Sequence, residues 1–137
     1  EFIVDVLGVA DIAPYGEPAG APDRRKMTYH EACHLRRELG VTTQPRTLIT
    51  SAPGVELAEM QQSDVCCGFG GSFSVRYPDI SGAMLQDKID QIKETGAERF
   101  VSCDSGCIMH IAGGMERQEV DVRPMHIAEL LDECFGR

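Results

Sequence analysis

Arg99-Phe100-Val101-Ser102-Cys103-Asp104-Ser105-Gly106-Cys107-Ile108-Met109-His110-Ile111 is the stretch that decides the fold. Residues 99–102 read as a short β-strand and 107–111 as a helix, with two cysteines at the turn between them. Outward from there, strand-like segments alternate with helical periodicity, the pattern of an α/β unit built on a parallel sheet. Further strands are expected at 27–30, 46–50 and 120–123, giving a small, mainly parallel sheet of about four strands with flanking helices, Rossmann-like and three-layered. The surest helix is 79–95, where Ile80, Met84, Leu85, Ile89 and Ile92 recur on one face, with Asp79 as N-cap and Gly96 just past its end. A second spans 126–135, with Ile127, Leu130, Leu131 and Cys134 at helical spacing, and 55–61 is a shorter helical candidate.

On this map Cys33 and Cys103 fall just past the C-terminal ends of strands, the edge of an open parallel sheet where ligands collect. Cys66 and Cys67 are adjacent and precede Gly68, and Cys107 follows Cys103 after Asp104-Ser105-Gly106. Neighbouring cysteines bridge each other only with strain, so Cys66-Cys67 points to external partners or to one shared centre. Thiolates select iron–sulfur clusters, zinc or Cu(I), not magnesium or calcium. Cys33, Cys66, Cys67, Cys103 and Cys107 together exceed the four sulfurs that a tetrahedral zinc or a cubane cluster uses, so one is spare or the cluster is unusual. The competing reading is a set of buried structural thiols, but core cysteines have no reason to gather at strand ends beside glycine.

Three blocks carry a family resemblance: Tyr29-His30-Glu31-Ala32-Cys33-His34-Leu35-Arg36-Arg37-Glu38-Leu39-Gly40, Cys66-Cys67-Gly68-Phe69-Gly70-Gly71-Ser72-Phe73-Ser74-Val75, and Cys103-Asp104-Ser105-Gly106-Cys107-Ile108-Met109-His110-Ile111. The pattern resembles the cysteine-rich CCG domain found in heterodisulfide reductase and in the iron–sulfur components of glycolate oxidase, anaerobic glycerol-3-phosphate dehydrogenase and lactate-utilisation systems, the last being the nearest likeness. The resemblance implies that Cys33, Cys66, Cys67, Cys103 and Cys107 hold a four-iron, four-sulfide cluster, cubane or non-cubane. After preparation in air the site is expected to be empty, occupied by zinc or closed by disulfides, because exposed thiolates oxidise and zinc competes with iron for sulfur. The founding members end in Cys-x-x-Cys, whereas here Asp104-Ser105-Gly106 separates the last pair, which makes Cys103 the least secure ligand. Such proteins carry two CCG domains, and a chain that starts Glu1-Phe2-Ile3-Val4 reads as a fragment holding the second, C-terminal copy.

The expected organisation is an N-terminal segment with a Pro/Gly-rich linker over 1–26, concentrated at 13–23, then the cysteine-rich domain over 27–137. At 137 residues no second core is required. A net charge of −9 argues against nucleic acid, whose phosphates need a basic surface, and suits a basic partner protein. No apolar run approaches the roughly 18 residues that span a bilayer. With 42% hydrophobic residues the chain has no need of a disulfide framework, and a reducing cytoplasm is expected.

Gly68, Gly70 and Gly71 are expected to let backbone approach the centre and donate N–H groups to its sulfurs; a phosphate loop is the weaker reading, since the P-loop lysine is missing. Of the histidines flanking the cysteines or opening a helix, His30, His34, His110 and His126, we read His34 and His110 as hydrogen bonders behind the ligands. Arg36 and Arg37 read as solvated surface, and Cys134 as core. No Ser-His-Asp set supports hydrolysis. The leading expectation is an electron-transfer iron–sulfur domain serving a lactate- or glycolate-oxidising complex through its other subunits, inactive alone. Heterodisulfide-reductase-like thiol–disulfide chemistry and a structural zinc domain are the alternatives.

Overall fold

The protein is described here from a computed structural model, which describes residues 25–135. The expected linker at 13–23 lies outside them. The elements run β1 (Arg25–His30), α1 (Cys33–Leu39), α2 (Gln44–Ser51), β2 (Val55–Leu57), α3 (Ser72–Arg76), α4 (Pro78–Glu94), β3 (Arg99–Ser102), α5 (Ser105–Arg117), β4 (Arg123–His126) and α6 (Ile127–Phe135). The four strands form one all-parallel sheet in the order β2-β1-β3-β4, as the alternating pattern predicts.

Strand alternation divides the sheet into two cores. Phe100 of β3 faces one side, where Ile89 and Ile92 of α4 pack with Ile111 and Met115 of α5. Met27 and Tyr29 of β1, Val101 of β3 and Met125 of β4 face the other, against Leu48 and Ile49 of α2 and Ile127 and Leu130 of α6. Each fully buried large apolar side chain contributes about 1.5–3 kcal/mol of transfer free energy. The layering follows from handedness. The step from β1 to β2 runs opposite to the steps from β2 to β3 and from β3 to β4, so right-handed crossovers put α2 on one face and α4 and α5 on the other. The chain therefore changes face between β1 and β3, the switch point at which open α/β sheets hold ligands.

Several local expectations are corrected. Residues 46–50, expected as a strand from their β-branched run, lie in helix α2. Pro45 sits in its first turn, where a missing N–H costs nothing, and Pro45, Leu48 and Ile49 bury one stripe. Thr50 Oγ1 donates to the Arg46 carbonyl at 2.8 Å and Thr47 Oγ1 to the Thr43 carbonyl at 3.2 Å, which suits threonine to a helix. Residues 55–61, expected as a helix, begin with the edge strand β2: Gly54 at φ 69° turns the chain, and Val55–Leu57 pairs with β1. The last strand starts later than expected, at Arg123, and tolerates Pro124 because it is an edge strand. In α4 the buried stripe omits Ile80, which is 55% exposed, and Pro78 opens the helix ahead of Asp79.

Candidate metal centre

Two strand ends and one loop build the site. Cys33 opens α1 after β1, Cys107 lies in the first turn of α5 after β3, and Cys66-Cys67 sits in the loop between β2 and α3. Asp104 caps α5: its Oδ1 accepts from the Cys107 N–H at 2.9 Å, and its Oδ2 meets His34 Nδ1 at 3.2 Å. The cap thus fixes Cys107 and ties α5 to the turn carrying Cys33. Cys33, Cys66, Cys67 and Cys107 line one cleft of about 160 Å³ with Ala32, His34, Phe69, Gly70 and Asp104.

The thiols interact in pairs. Cys66 and Cys33 are close enough to hydrogen-bond, and burial is the main reason the Cys66 thiol is pushed up from its ordinary value. Cys67, fully buried, is pulled down to about 4, first by the hydrogen bond from Cys107, then by His30 beside it and the Phe69 N–H. Cys107 moves the other way, because the Cys67 thiolate holds its proton and burial disfavours a second charge. One negative charge shared by two buried sulfurs is a soft ligand already prepared for a cation. Backbone approach adds to it. Gly68, at φ 89°, donates its N–H to Cys66 Sγ at 3.4 Å, and a Cβ there would lie 2.7 Å from the Ser81 carbonyl oxygen.

The remaining predicted positions divide. His34 reaches the site through Asp104, and His110 packs at a tilt against Phe69 with centroids 5.6 Å apart, its buried Nε2 lacking a partner among the described residues. Gly70 lines the cleft, whereas Gly71 precedes α3 at φ 58° and is exposed. Cys103 is not brought to the others. Alternation sends it with Val101 to the opposite core, where its sulfur lies 3.8 Å from Tyr29 Oη. There it lines a larger apolar pocket of about 330 Å³ with Leu35, Leu39, Leu48, His126 and Leu131. Burial pushes its thiol up, and the same effect dominates the rise at Tyr29. Cys134 is half-buried against that second core.

Two residues beyond the predicted set stand at the centre. His30 is fully buried at the end of β1, and one of its ring nitrogens lies with Cys67 Sγ and Cys107 Sγ in a group whose members are all within 4.8 Å of one another. Strand periodicity carried that signal: Met27 and Tyr29 face one way, so His30 faces the other. Lys88 of α4 is 1% exposed, with Nζ directed at the Gln62 carbonyl, Met60 Sδ and Gln91 Oε1 and no carboxylate ion pair among the described residues. Burial pulls its amine down while the thiols Cys67, Cys66 and Cys107 and the carboxylate of Asp64 favour its charge. No sequence pattern marks it, since lysine on an acidic helix reads as surface.

A doubly wound α/β sheet with clustered thiols and an imidazole at its switch point is a domain whose donor set could hold a soft metal ion. The profile of the CCG family, described as a cysteine-rich domain, matches residues 27–112, and the chain belongs to that family. It is also similar to the protein named lactate utilization protein A from several bacteria. It is 42% identical over 132 residues to those of Oceanobacillus iheyensis and Bacillus subtilis, covering 96% of this chain and 51% and 52% of the relatives. That of Lysinibacillus sphaericus is also 42% identical over 132 residues, with 55% of its length covered. The chain thus spans about half the length of the curated relatives it matches.

Proposed function

We propose that this chain is an iron–sulfur electron-transfer domain of a system that oxidises a 2-hydroxy acid, lactate before glycolate. The observation that carries the reading is the convergence of Cys33, Cys66, Cys67 and Cys107 on one cleft at the switch point of the sheet. Four thiols are the ordinary donor set of a four-iron cluster, and the pair Cys67 and Cys107 already favours a shared negative charge. When bound, such a cluster accepts and returns one electron at a time. The chain's own residues do the rest: the four sulfurs hold it, the N–H groups of Gly68 and Phe69 favour charge on Cys66 and Cys67, and the Lys88 cation offsets that charge.

The 2-hydroxy acid enters through the relatives, which are named for lactate utilisation. Oxidising it to the 2-oxo acid releases two electrons and two protons, which a one-electron domain relays rather than extracts. The substrate site and further carriers therefore belong to partner subunits of an oxidoreductase complex. Among the described residues no helix is long and apolar enough to cross a membrane, and a cytoplasmic place is part of the same proposal. A structural zinc domain is the second reading, favoured by the His30, Cys67 and Cys107 group, which is a nitrogen and sulfur donor set that zinc accepts.

Anaerobic reconstitution with iron and sulfide tests the assignment. The folded protein is expected to take up about four irons and four sulfides and to give a paramagnetic signal that appears and disappears on reversible one-electron reduction. Iron and sulfide at background level in a folded protein contradict the electron-transfer reading, and stoichiometric zinc with no reducible signal favours the structural one.

A further inference from the structure

His30 is placed where a metal donor belongs. It ends β1, the strand beside β3 at the switch point, and its side chain is fully buried on the same face of the sheet as Cys67 and Cys107. Its backbone is held: the His30 carbonyl accepts from Ser102 Oγ at 3.0 Å, and Ser102 is its register partner in β3. Its ring is not. Neither Nδ1 nor Nε2 makes a well-formed hydrogen bond among the described residues, and the polar group beside the ring is the Cys67 sulfur, with which it interacts. An unpaired polar group buried this deeply costs about 1–3 kcal/mol. A buried histidine kept only for packing would carry that cost with two sulfurs beside it.

Separation supports the same reading. Ligand nitrogen and thiolate sulfur bind a metal at about 2.0–2.3 Å, so donors sharing one metal lie within about 4.6 Å of one another. The group of His30, Cys67 and Cys107 is bounded at 4.8 Å, which small side-chain adjustments close. We propose that His30 is a metal ligand of the centre, bonding through the ring nitrogen nearest Cys67 and Cys107 and adding one imidazole to the four thiolates. This inference deepens the proposed function and rests on its metal centre. Coordination accounts for one of the two orphaned nitrogens. Imidazole is neutral where a thiolate is anionic, so His30 supplies a fifth donor without the further negative charge that a fifth thiolate would bring.

The test uses the full chain, anaerobically reconstituted with iron and sulfide after growth on ¹⁵N-labelled histidine, then reduced and examined by pulsed electron paramagnetic resonance. The expected result is a strong nitrogen hyperfine coupling of a directly bonded imidazole, absent in His30→Gln and present in His34→Ala and His110→Ala. A cluster signal without that coupling, or a coupling that survives His30→Gln, overturns the inference while leaving the cluster assignment standing. The labelled wild-type protein decides the matter even where His30→Gln fails to fold. If no cluster forms, the electron-transfer reading falls and cobalt(II) added alone carries the test. Wild type is then expected to show the absorption of a mixed nitrogen and sulfur site, with affinity at least about tenfold above that of His30→Gln. Equal affinity and identical cobalt spectra in the two proteins overturn the inference.

Discussion

Cys103 and Cys107 are separated by a single turn of chain, yet their sulfurs end on opposite faces of the sheet. Cys107, held by the Asp104 cap in the first turn of α5, joins Cys33, Cys66, Cys67 and His30 in a polar group with a shared negative charge. Cys103, still in phase with strand β3, continues the Met27, Tyr29 and Val101 side and ends in the larger, apolar pocket. Two cysteines of one motif thus meet two environments. The larger cavity is also the one with less chemistry, having as polar features only a protonated thiol near a buried tyrosine and the edge of His126. Pocket size and reactivity are separate properties here, and the order of residues along one strand end decides which face receives the reactive sulfur.

The largest expected effect breaks or upholds this contrast directly. Cys67→Ser and Cys107→Ser are expected to lower bound iron after reconstitution to background, because each removes a donor from the shared pair. Cys103→Ser is expected to keep wild-type iron content, in contrast to the ligand role that the family pattern implies for it. Loss of iron in Cys103→Ser with the fold intact would mean that the two faces exchange sulfurs on loading.

Next in size are backbone changes beneath the clustered cysteines. Gly68→Ala adds a Cβ that meets the Ser81 carbonyl oxygen at 2.7 Å, in a φ of 89° that side chains avoid. It is expected to cost about 1–3 kcal/mol in urea unfolding. Gly71→Ala, at φ 58° in open space, is expected to cost less. Equal losses at the two positions would remove the argument that backbone is packed closely beneath the cysteines.

Cys67 should also make the stability of the metal-free protein depend on pH. Cys67 has a folded value near 4 against an ordinary 9.0. Its stabilisation is therefore complete above 9.0, declines as pH falls, and is gone below about 4. Across that window the native pair holds one proton and the unfolded pair two, so stability rises with pH by at most about 1.4 kcal/mol per unit. Urea midpoints between these limits are expected to slope upward with pH in wild type and to flatten in Cys67→Ser. An unchanged slope in Cys67→Ser would contradict the shared-charge assignment. Cys103→Ser is expected to leave the slope as it is.

The smallest effect concerns Lys88. Lys88→Met removes a buried cation whose charge the centre's thiols favour, and the loaded protein is expected to become harder to reduce by about 1 kcal/mol, tens of millivolts for one electron. Potentiometric titration of the two proteins reads it. A potential that rises or stays fixed would show that Lys88 serves packing alone.

Much of this architecture is legible in the sequence. The alternation of short apolar runs with helical periodicity implies the parallel sheet, and Ile89 and Ile92 mark the buried face of α4. What misleads is local propensity without context. Arg46-Thr47-Leu48-Ile49-Thr50 has strand-like composition, but Pro45 and the threonine hydroxyls make it a helix that covers the second face. Val55–Leu57 pairs only at the sheet edge, a contact no short window contains. Within the site, convergence of cysteines follows from strand ends, whereas the split between Cys103 and Cys107 needs the phase of β3, and the presence of His30 needs the phase of β1. Both phases are written in the alternation of neighbouring residues, and the resemblance to a five-cysteine motif obscures them. Lys88 has no such signal, because its burial depends on the loop carrying Met60 and Gln62 closing over it.

One face of the sheet is expected to hold the metal and the other is not. A crystal grown anaerobically from iron- and sulfide-reconstituted protein, measured with X-rays tuned to the iron edge, locates the metal without any assumption about ligands. The expected result is anomalous density bounded by Cys33, Cys66, Cys67 and Cys107 with His30 at its inner side, and none beside Cys103. Iron density in contact with Cys103, or lying away from the four clustered sulfurs, would contradict it.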